Sequence, residues 1–178
     1  MTHSILSLIH ELNPNQKALI HKFVNILMTQ GKKTKSRQIL FQTIEVLRES
    51  LPPSDEKDKH KPTQITIDYL FQAISNVQPL LEVKKIRIAG STQWIPSTIS
   101  VNRQQTLAIR WILEAAKKRP SVRVSFPDRS KGTRFSHKLA AEILEASKKT
   151  GFARKKRDEL HKLAEANRSF SHYRWWSL

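Results

Sequence analysis

The sequence predicts a mainly α-helical protein: a helical bundle from which a two-stranded β-hairpin protrudes. Apolar residues recur at spacings of three, four and seven along most of the chain, which is the period of helices that bury one side. Residues 81–101 change to near alternation, which is typical of strands. With 178 residues, 38% of them hydrophobic, the chain can form one modest core. We therefore expect one domain over residues 15–178, preceded by a short extension over residues 1–14.

The first two helices are predicted from their capping residues. Asn13 followed by Pro14 is a typical helix start, and Gly31 suits the carboxyl-terminal cap of the same helix. A basic loop follows Gly31, and we predict that Thr34 caps the second helix. The apolar stripe of that helix runs to Leu51, where two prolines end it.

The third helix follows a polar loop of mixed charge over residues 52–64, which we interpret as an exposed insertion. Helical spacing returns near Thr66 and stops at Pro79.

The alternating segment predicts a hairpin with its turn around residues 89–92. A lone two-stranded ribbon is marginally stable in water, so its base must rest on helices while its tip projects. Lys84, Lys85, Arg87 and Trp94 lie on the projecting part. Trp94 either covers the base of the ribbon or contacts a nucleic acid, and the sequence leaves both open.

The fourth helix, over residues 103–119, is predicted to begin after Asn102 and to be central, because its small residues allow close approach of other helices. Trp111 is expected to point inward. Residues 120–134 form an irregular segment of unassigned conformation.

The last two helices are predicted to run from Ser136 to Gly151 and from about Phe152 onward. The final helix combines a basic run, Arg154 to Arg157, with an apolar stripe that includes Leu163 and Phe170. Cations and aromatic rings then alternate over residues 172–176, and such groups stack on bases and clamp phosphates.

The charge balance points to a polyanionic partner. The chain has 32 Lys and Arg against 15 Asp and Glu, a formal net charge of +17. The cations occur in four segments, residues 32–37, 84–87, 103–119 and 154–157, which suits a folded RNA better than a DNA duplex read by one helix. A membrane partner is disfavoured because no apolar run approaches the roughly 20 residues that span a bilayer.

No pattern of catalytic or metal-binding residues occurs. The chain has no cysteine, its seven histidines show no His-Glu-x-x-His motif, and its four glycines form no phosphate-binding loop. We therefore expect a protein that is not an enzyme and that needs no cofactor, metal or small-molecule substrate. Residues 1–12 contain no Lys or Arg, unlike a secretory signal or an organelle presequence. If the protein works in an organelle, we expect it to be made there or already trimmed.

Four stretches resemble one known family. They are KFVNILM (22–28) with GKK (31–33), AGSTQWIP (89–96), LAIRWILEAA (107–116) and KKRDELHKLAEANRSFSHYRW (155–175). Together, from about residue 15 to 176, they closely resemble the bacterial-type small-subunit ribosomal protein seven family. The variant RQQTL before the fourth helix and the Trp175-Trp176 ending resemble the mitochondrially encoded members of plants and algae.

The resemblance implies a six-helix bundle with a protruding hairpin that binds the 3′ major domain of the small-subunit rRNA and organises assembly of the subunit head. Neighbouring head proteins would adjoin it, and the hairpin would lie near the exit-site tRNA and the mRNA path. The implied location is the mitochondrial matrix, within the mitoribosome, with another bacterial-type ribosome as the second choice. A free-standing RNA- or DNA-binding regulator is the alternative function.

The resemblance also implies which residues bind. The expected rRNA contacts are Lys32, Lys33, Lys35, Arg37, Arg103, Arg110, Lys117, Lys118, Arg119, Arg154, Lys155, Lys156, Arg157, Arg168 and Arg174. The expected hairpin residues near tRNA and mRNA are Lys84, Lys85, Arg87, Gly90, Gln93 and Trp94.

Three features depart from the family pattern. The basic amino-terminal arm is replaced by the neutral residues 1–12, and the loops 52–64 and 120–134 are longer, where organelle-specific proteins could bind. Ala89 replaces the first of two glycines at the hairpin tip, so Gly90 is expected to take the positive φ.

Overall fold

A computed structural model describes residues 13–51, 62–88, 90–120 and 135–173. Within these residues the chain is mainly α-helical, with one antiparallel two-stranded sheet, which confirms the predicted fold class. The elements are α1 (Pro14–Leu27), α2 (Lys33–Ser50), α3 (Pro62–Val77), β1 (Leu81–Ile88), β2 (Ser91–Thr98), α4 (Val101–Lys118), α5 (Phe135–Ser147), α6 (Gly151–Ala166) and a 3-10 helix (Arg168–Tyr173). The amino-terminal extension up to residue 12, the loop at 121–134, most of the loop at 52–64, Ala89 and Arg174 lie outside the described residues.

The start of α1 is as predicted, but its end is not. The backbone N–H of Asn13 donates to Gln16 Oε1 at 3.2 Å, and the two residues form a capping box. The helix ends at Leu27, four residues before Gly31. Gln30 and Gly31 both have positive φ, 53° and 70°, so Gly31 serves the turn into α2 rather than the cap of α1.

Two helices begin earlier than their expected caps. Lys32 precedes α2, so Thr34 lies in the first turn instead of capping it. Ser100 precedes α4, because its carbonyl already accepts the N–H groups of Arg103 and Gln104 at 3.0 Å each. Asn102 is therefore inside the helix, and its predicted role as cap is wrong.

The remaining boundaries shift by one to four residues. The third helix begins at Pro62 rather than near Thr66, so the last positions of the predicted loop are helical. Ser136 lies within α5 and is buried. Because α5 ends at Ser147, Gly151 opens α6 and does not end α5.

The core lies where α4 and α5 cross the other helices. The predicted central helix α4 packs against α1, α3, α5 and α6, while α5 packs against α2, α3, α4 and α6, so the two share the central position. Phe23, Ile74, Ile112 and Ile143 are fully buried there, and burial of each such side chain contributes about 1.5–3 kcal/mol. Trp111 is half-buried against this core, as predicted.

The apolar stripe predicted for the final helix is only partly buried. Ala164 is buried, but Leu163 is 38% exposed. The α-helix ends at Ala166, and Phe170 belongs to the following 3-10 helix. The change of helix type rotates Phe170 away from the position that a continued α-helix would give it.

The hairpin has the predicted form. Ile88 pairs with Ser91, which leaves a two-residue turn, and Gly90 has a φ of 85°. The ribbon rests on α6 and the 3-10 helix, with Ile95 fully buried. Gly90, Ser91 and Thr92 at the tip are exposed, so the base is supported and the tip projects.

Candidate nucleic-acid interface

The amino-terminal end of α2 presents an exposed group of cations. Lys33, Lys35 and Arg37 are exposed, and their side chains make no hydrogen bond or ion pair with any other described residue. Lys32 donates to Gln30 Oε1 at 2.9 Å. The first turn contains no acidic residue, so the unpaired N–H groups of the helix and the cations both favour an anion here.

A second group lies on the outward face of α4. Arg110, Lys117 and Lys118 are exposed, and their side chains form no hydrogen bond or ion pair with the part of the chain that the structure describes. Glu114 lies among them and pairs with Lys156 of α6. The hydrogen bond from Lys156 lowers the pKa of Glu114, so this carboxylate stays ionised and offsets one positive charge of the face.

The predicted cations of α6 divide into inward and outward residues. Arg154 Nη1 donates to the carbonyl of Asn76 at 2.6 Å, and Arg157 Nε donates to the carbonyl of Gln78 at 3.2 Å. Both arginines also pair with Asp158. Burial is the main cause that lowers the pKa of Arg157. These two residues therefore hold α6 against the carboxyl-terminal end of α3.

The exposed side of α6 has fewer cations than the sequence predicts. Lys155 is exposed, with its Nζ 5.6 Å from the ring centroid of Phe152. Lys162 and Arg168 are exposed as well. Beyond Arg168, the rings of His172 and Tyr173 lie 3.9 Å apart between centroids.

Two further residues that are expected to contact rRNA, Arg103 and Arg119, form ion pairs with carboxylates of the protein itself. Arg103 makes a bidentate pair with Glu82, with both N···O distances 2.6 Å, and so joins α4 to β1. The hydrogen bond from Arg103 lowers the pKa of Glu82. Arg119 contacts Glu142 at 3.0 Å and also pairs with Glu145.

The hairpin brings cations and an aromatic ring onto one face. Lys85 is paired with Trp94 across the strands, and its Nζ lies 4.4 Å from the ring centroid. Arg87 is two residues from Lys85 and therefore shares this face, whereas Lys84 and Gln93 lie on the opposite one. Trp94 is half-buried near the middle of its strand, between the supported base and the exposed tip.

Comparison with known proteins identifies the family. The model of the family described as ribosomal protein S7p/S5e matches residues 5–168. The chain belongs to this family. Its S7 relatives include small ribosomal subunit protein uS7m of Marchantia polymorpha, 52% identical over 171 residues, which are 96% of this chain and 66% of that protein. The same protein of Arabidopsis thaliana is 43% identical over 166 residues, 93% of this chain and 98% of that one.

Bacterial S7 proteins match at lower identity. Small ribosomal subunit protein uS7 of Nautilia profundicola is 40% identical over 157 residues, which are 88% of this chain and 87% of the relative. The resemblance to the bacterial-type family, and within it to the mitochondrial members of plants, is therefore confirmed. The S7 family is a structural, non-enzymatic class.

Within residues 13–51, 62–88, 90–120 and 135–173, no group of three or more His, Asp or Glu is arranged to hold a metal ion. No helix in this part of the S7 chain is both long and apolar enough to cross a membrane.

One buried residue of this S7 chain, Glu142, is not among the residues that were predicted from the sequence. Glu142 is fully buried, and its Oε1 accepts the N–H of Ala153 at 2.9 Å. Its position could have been found, because it lies three residues after Leu139 and four before Ala146 and therefore falls on the buried stripe of α5. A carboxylate on such a stripe must have partners, since an unpaired buried charge is costly.

Proposed function

We propose that this protein is a structural component of the mitochondrial small ribosomal subunit and that it binds the small-subunit rRNA. The observation that carries the proposal is the family match over residues 5–168, together with relatives of 52% and 43% identity named as small ribosomal subunit proteins. The net charge of +17 gives the chain the electrostatics that a polyanionic partner requires.

The rRNA contacts are made mainly by the exposed cations. The exposed cations on α2 and α4 form no side-chain hydrogen bond or ion pair with the described residues; they are Lys33, Lys35, Arg37, Arg110 and Lys117. Such groups can neutralise phosphates at little cost in lost intramolecular bonds. Binding then draws its free energy largely from counterion release, and it weakens steeply as salt rises.

The cations with protein acceptors have a double role in this proposal. Arg154 donates to a carbonyl in the last turn of α3 and Arg157 to the carbonyl just after it, but a guanidinium has five N–H donors. Each can therefore hold α6 in place and direct remaining donors to the RNA of the 3′ major domain. In the same way, Arg103 joins α4 to the hairpin and Lys156 joins α6 to α4, while both contribute positive charge.

The hairpin is the part proposed to face the exit-site tRNA and the mRNA path. Support comes from Lys85, Arg87 and Trp94 sharing one face of the projecting ribbon, since an indole ring stacks on unpaired bases and cations bind phosphates. Neighbouring proteins of the subunit head would occupy other sides of the bundle.

Sedimentation of a mitochondrial lysate tests the proposal. We expect the protein to co-sediment with small subunits at low salt and to be released at high salt, because phosphate contacts are screened. A protein that remains in the light fractions at low salt would contradict a ribosomal role. The same result would favour the alternative of a free-standing RNA- or DNA-binding regulator, which the RNA recovered with the protein would then identify.

A further inference from the structure

Glu142 lies where three helices meet, and none of the RNA contacts proposed above uses it. The side chain projects from α5 and is fully buried. Its Oε2 accepts a hydrogen bond from Arg119 Nη2 at 3.0 Å, just beyond the end of α4. Its Oε1 accepts the backbone N–H of Ala153 at 2.9 Å, in the first turn of α6. One carboxylate thus joins the end of α4 to the start of α6.

The space around this carboxylate is tightly filled. Gly151 has a φ of 90°, and a Cβ atom on it would lie 3.0 Å from Glu142 Oε1 and 3.1 Å from Glu145 Oε2. Arg119 is held by both carboxylates, and its Nε is buried without a hydrogen-bond partner. The guanidinium therefore cannot turn to another acceptor without leaving buried charges unpaired.

The charge of Glu142 also suits the helix end that it contacts. The amino-terminal end of a helix carries a partial positive charge, which a nearby carboxylate stabilises. The first turn of α6 has no acidic residue of its own, and the basic run from Arg154 to Arg157 follows immediately. The compensating negative charge comes instead from α5, through Glu142.

Three other side chains that hold α6 are long and partly exposed. Lys156 pairs with Glu114 of α4, and Arg154 and Arg157 reach carbonyls of α3. Such side chains can adjust to a small rotation of the helix. The hydrogen bond between Glu142 and the backbone N–H of Ala153 is buried, and because it ends on the backbone it fixes the helix itself.

We propose that Glu142 is a positioning residue for RNA binding. Acting through Arg119 and the N–H of Ala153, it sets the orientation of α6 and so the place of the exposed cations Lys155, Lys162 and Arg168. The inference rests on the proposed rRNA binding. It assigns Arg119, which the family resemblance places among the expected rRNA contacts, to the support of this carboxylate.

The absence of cysteine allows a direct test. A single cysteine introduced by Glu159→Cys on α6, or by Gln38→Cys on α2, gives a unique attachment point at an exposed position. An iron chelate attached there cleaves the small-subunit rRNA close to each helix. The experiment compares both attachment points in the wild-type, Glu142→Gln and Glu142→Ala backgrounds, with circular dichroism to verify folding.

In the Glu142→Ala background we expect cleavage from position 159 at the original nucleotides to fall about tenfold or to move to other nucleotides. Cleavage from position 38 on α2 should change less than about twofold, because the effect should be confined to α6. The tenfold change at position 159 corresponds to about 1.4 kcal/mol. Glu142→Gln should have a smaller effect, since it keeps an oxygen for Ala153 but loses the charge that pairs with Arg119.

Unchanged cleavage from both positions in folded variants would overturn the positioning role. An equal loss from both positions would also overturn it, because that indicates general destabilisation. If Glu142→Ala does not fold, the Glu142→Gln comparison decides by the same criteria. Absence of cleavage from both positions in the wild-type background would instead refute the proposed rRNA binding itself.

Discussion

Arg154 donates a hydrogen bond from Nη1 to the carbonyl oxygen of Asn76 at 2.6 Å, so a cation of α6 covers the last turn of α3. Carbonyl groups at the end of a helix lack intrahelical partners and carry partial negative charge. The side chain of Arg154 is only 22% exposed, which limits the screening of this contact by water. A residue that the sequence assigns to RNA binding therefore also stabilises the packing of two helices.

We expect Arg154→Ala to lower the free energy of unfolding by about 1.5–3 kcal/mol, the usual contribution of a hydrogen bond to a charged group. Urea denaturation followed by circular dichroism measures this change. Lys155→Ala is the matched control, because Lys155 is exposed and reaches no acceptor of another helix. Its effect should stay within about 0.5 kcal/mol.

Equal stability of the two variants would show that the contact with Asn76 contributes nothing in solution. The comparison also affects how RNA-binding variants are designed. Replacing residues 154–157 together by alanine removes the contacts with α3 and α4 as well as four positive charges. Lost binding in that variant would not separate direct RNA contact from displacement of α6.

The exposed cations of α2 give a cleaner measure of phosphate contact. Replacing Lys33, Lys35 and Arg37 by alanine should flatten the dependence of log affinity for rRNA on log salt by about 2 to 3, since each lost contact removes about 0.7 to 0.9. Filter binding over a range of salt concentrations measures the slope. The fold should be retained, because these side chains have no partner within the described residues.

A charge-matched control separates local contact from total charge. Arg48, Lys148 and Lys149 are exposed and lie outside the proposed sites. Replacing them by alanine removes the same number of positive charges as the α2 variant. For this control variant, we expect the slope of log affinity against log salt to stay near that of the wild type. If both triple variants flatten the slope equally, binding depends on net charge and the α2 site is not specific.

His161 should make stability depend on pH. Its Nε2 accepts the N–H of Leu80 at 3.2 Å, which requires the neutral ring. Burial, followed by the charge of Arg157, lowers the pKa of His161 below its ordinary value of 6.5. Below pH 6.5 the unfolded chain therefore takes up the proton more readily than the folded one. The contribution of His161 is complete above pH 6.5 and is lost as pH falls through the lowered pKa.

The variant His161→Gln tests this dependence. Glutamine can accept the Leu80 N–H through its oxygen and does not titrate, so the unfolding free energy should change little at pH 8. Between pH 7 and 5.5 the variant should lose less stability than the wild type, as measured by urea denaturation at each pH. Parallel pH profiles for the two proteins would show that His161 is not responsible.

Helix positions could be predicted from the sequence because they depend on local periodicity. The stripes that include Phe23, Ile74 and Ile112 were recognisable from spacing alone, and all three residues are buried. The caps were harder to predict. Thr34 and Asn102 have the right chemistry, but the actual starts depend on where the preceding turn or strand leaves the backbone.

The candidate site was predictable in composition but not in geometry. The sequence shows that Arg154 is basic, yet its acceptor lies 78 residues away on α3, and no local pattern predicts that pairing. The exposed cations of α2 were the easier case, since no acidic residue occurs in that turn. Glu142 was missed because its partners, Arg119 and Ala153, come from two other helices that only the tertiary structure brings together.

Gly151 provides a test of the packing around Glu142. Both Gly151 and Gly31 have positive φ, 90° and 70°, so alanine is strained at either position, at a cost of about 1–2 kcal/mol. They differ in surroundings: a Cβ on Gly31 meets nothing within 4 Å, whereas one on Gly151 would lie 3.0 Å from Glu142 Oε1. Crowding of this kind typically costs a further 1–3 kcal/mol or so.

We therefore expect Gly151→Ala to lower the unfolding free energy by at least about 1 kcal/mol more than Gly31→Ala, since only the former must displace a buried carboxylate. Denaturant titration of the two variants gives this difference directly. The Glu142→Ala background removes the contact at 3.0 Å but keeps the contacts with Glu145 at 3.1 Å, so the difference between the two glycine substitutions should shrink without vanishing. A difference that is unaffected by Glu142→Ala would place the extra cost of Gly151→Ala in its contacts with Glu145 and would argue against close contact between the Glu142 carboxylate and the start of α6.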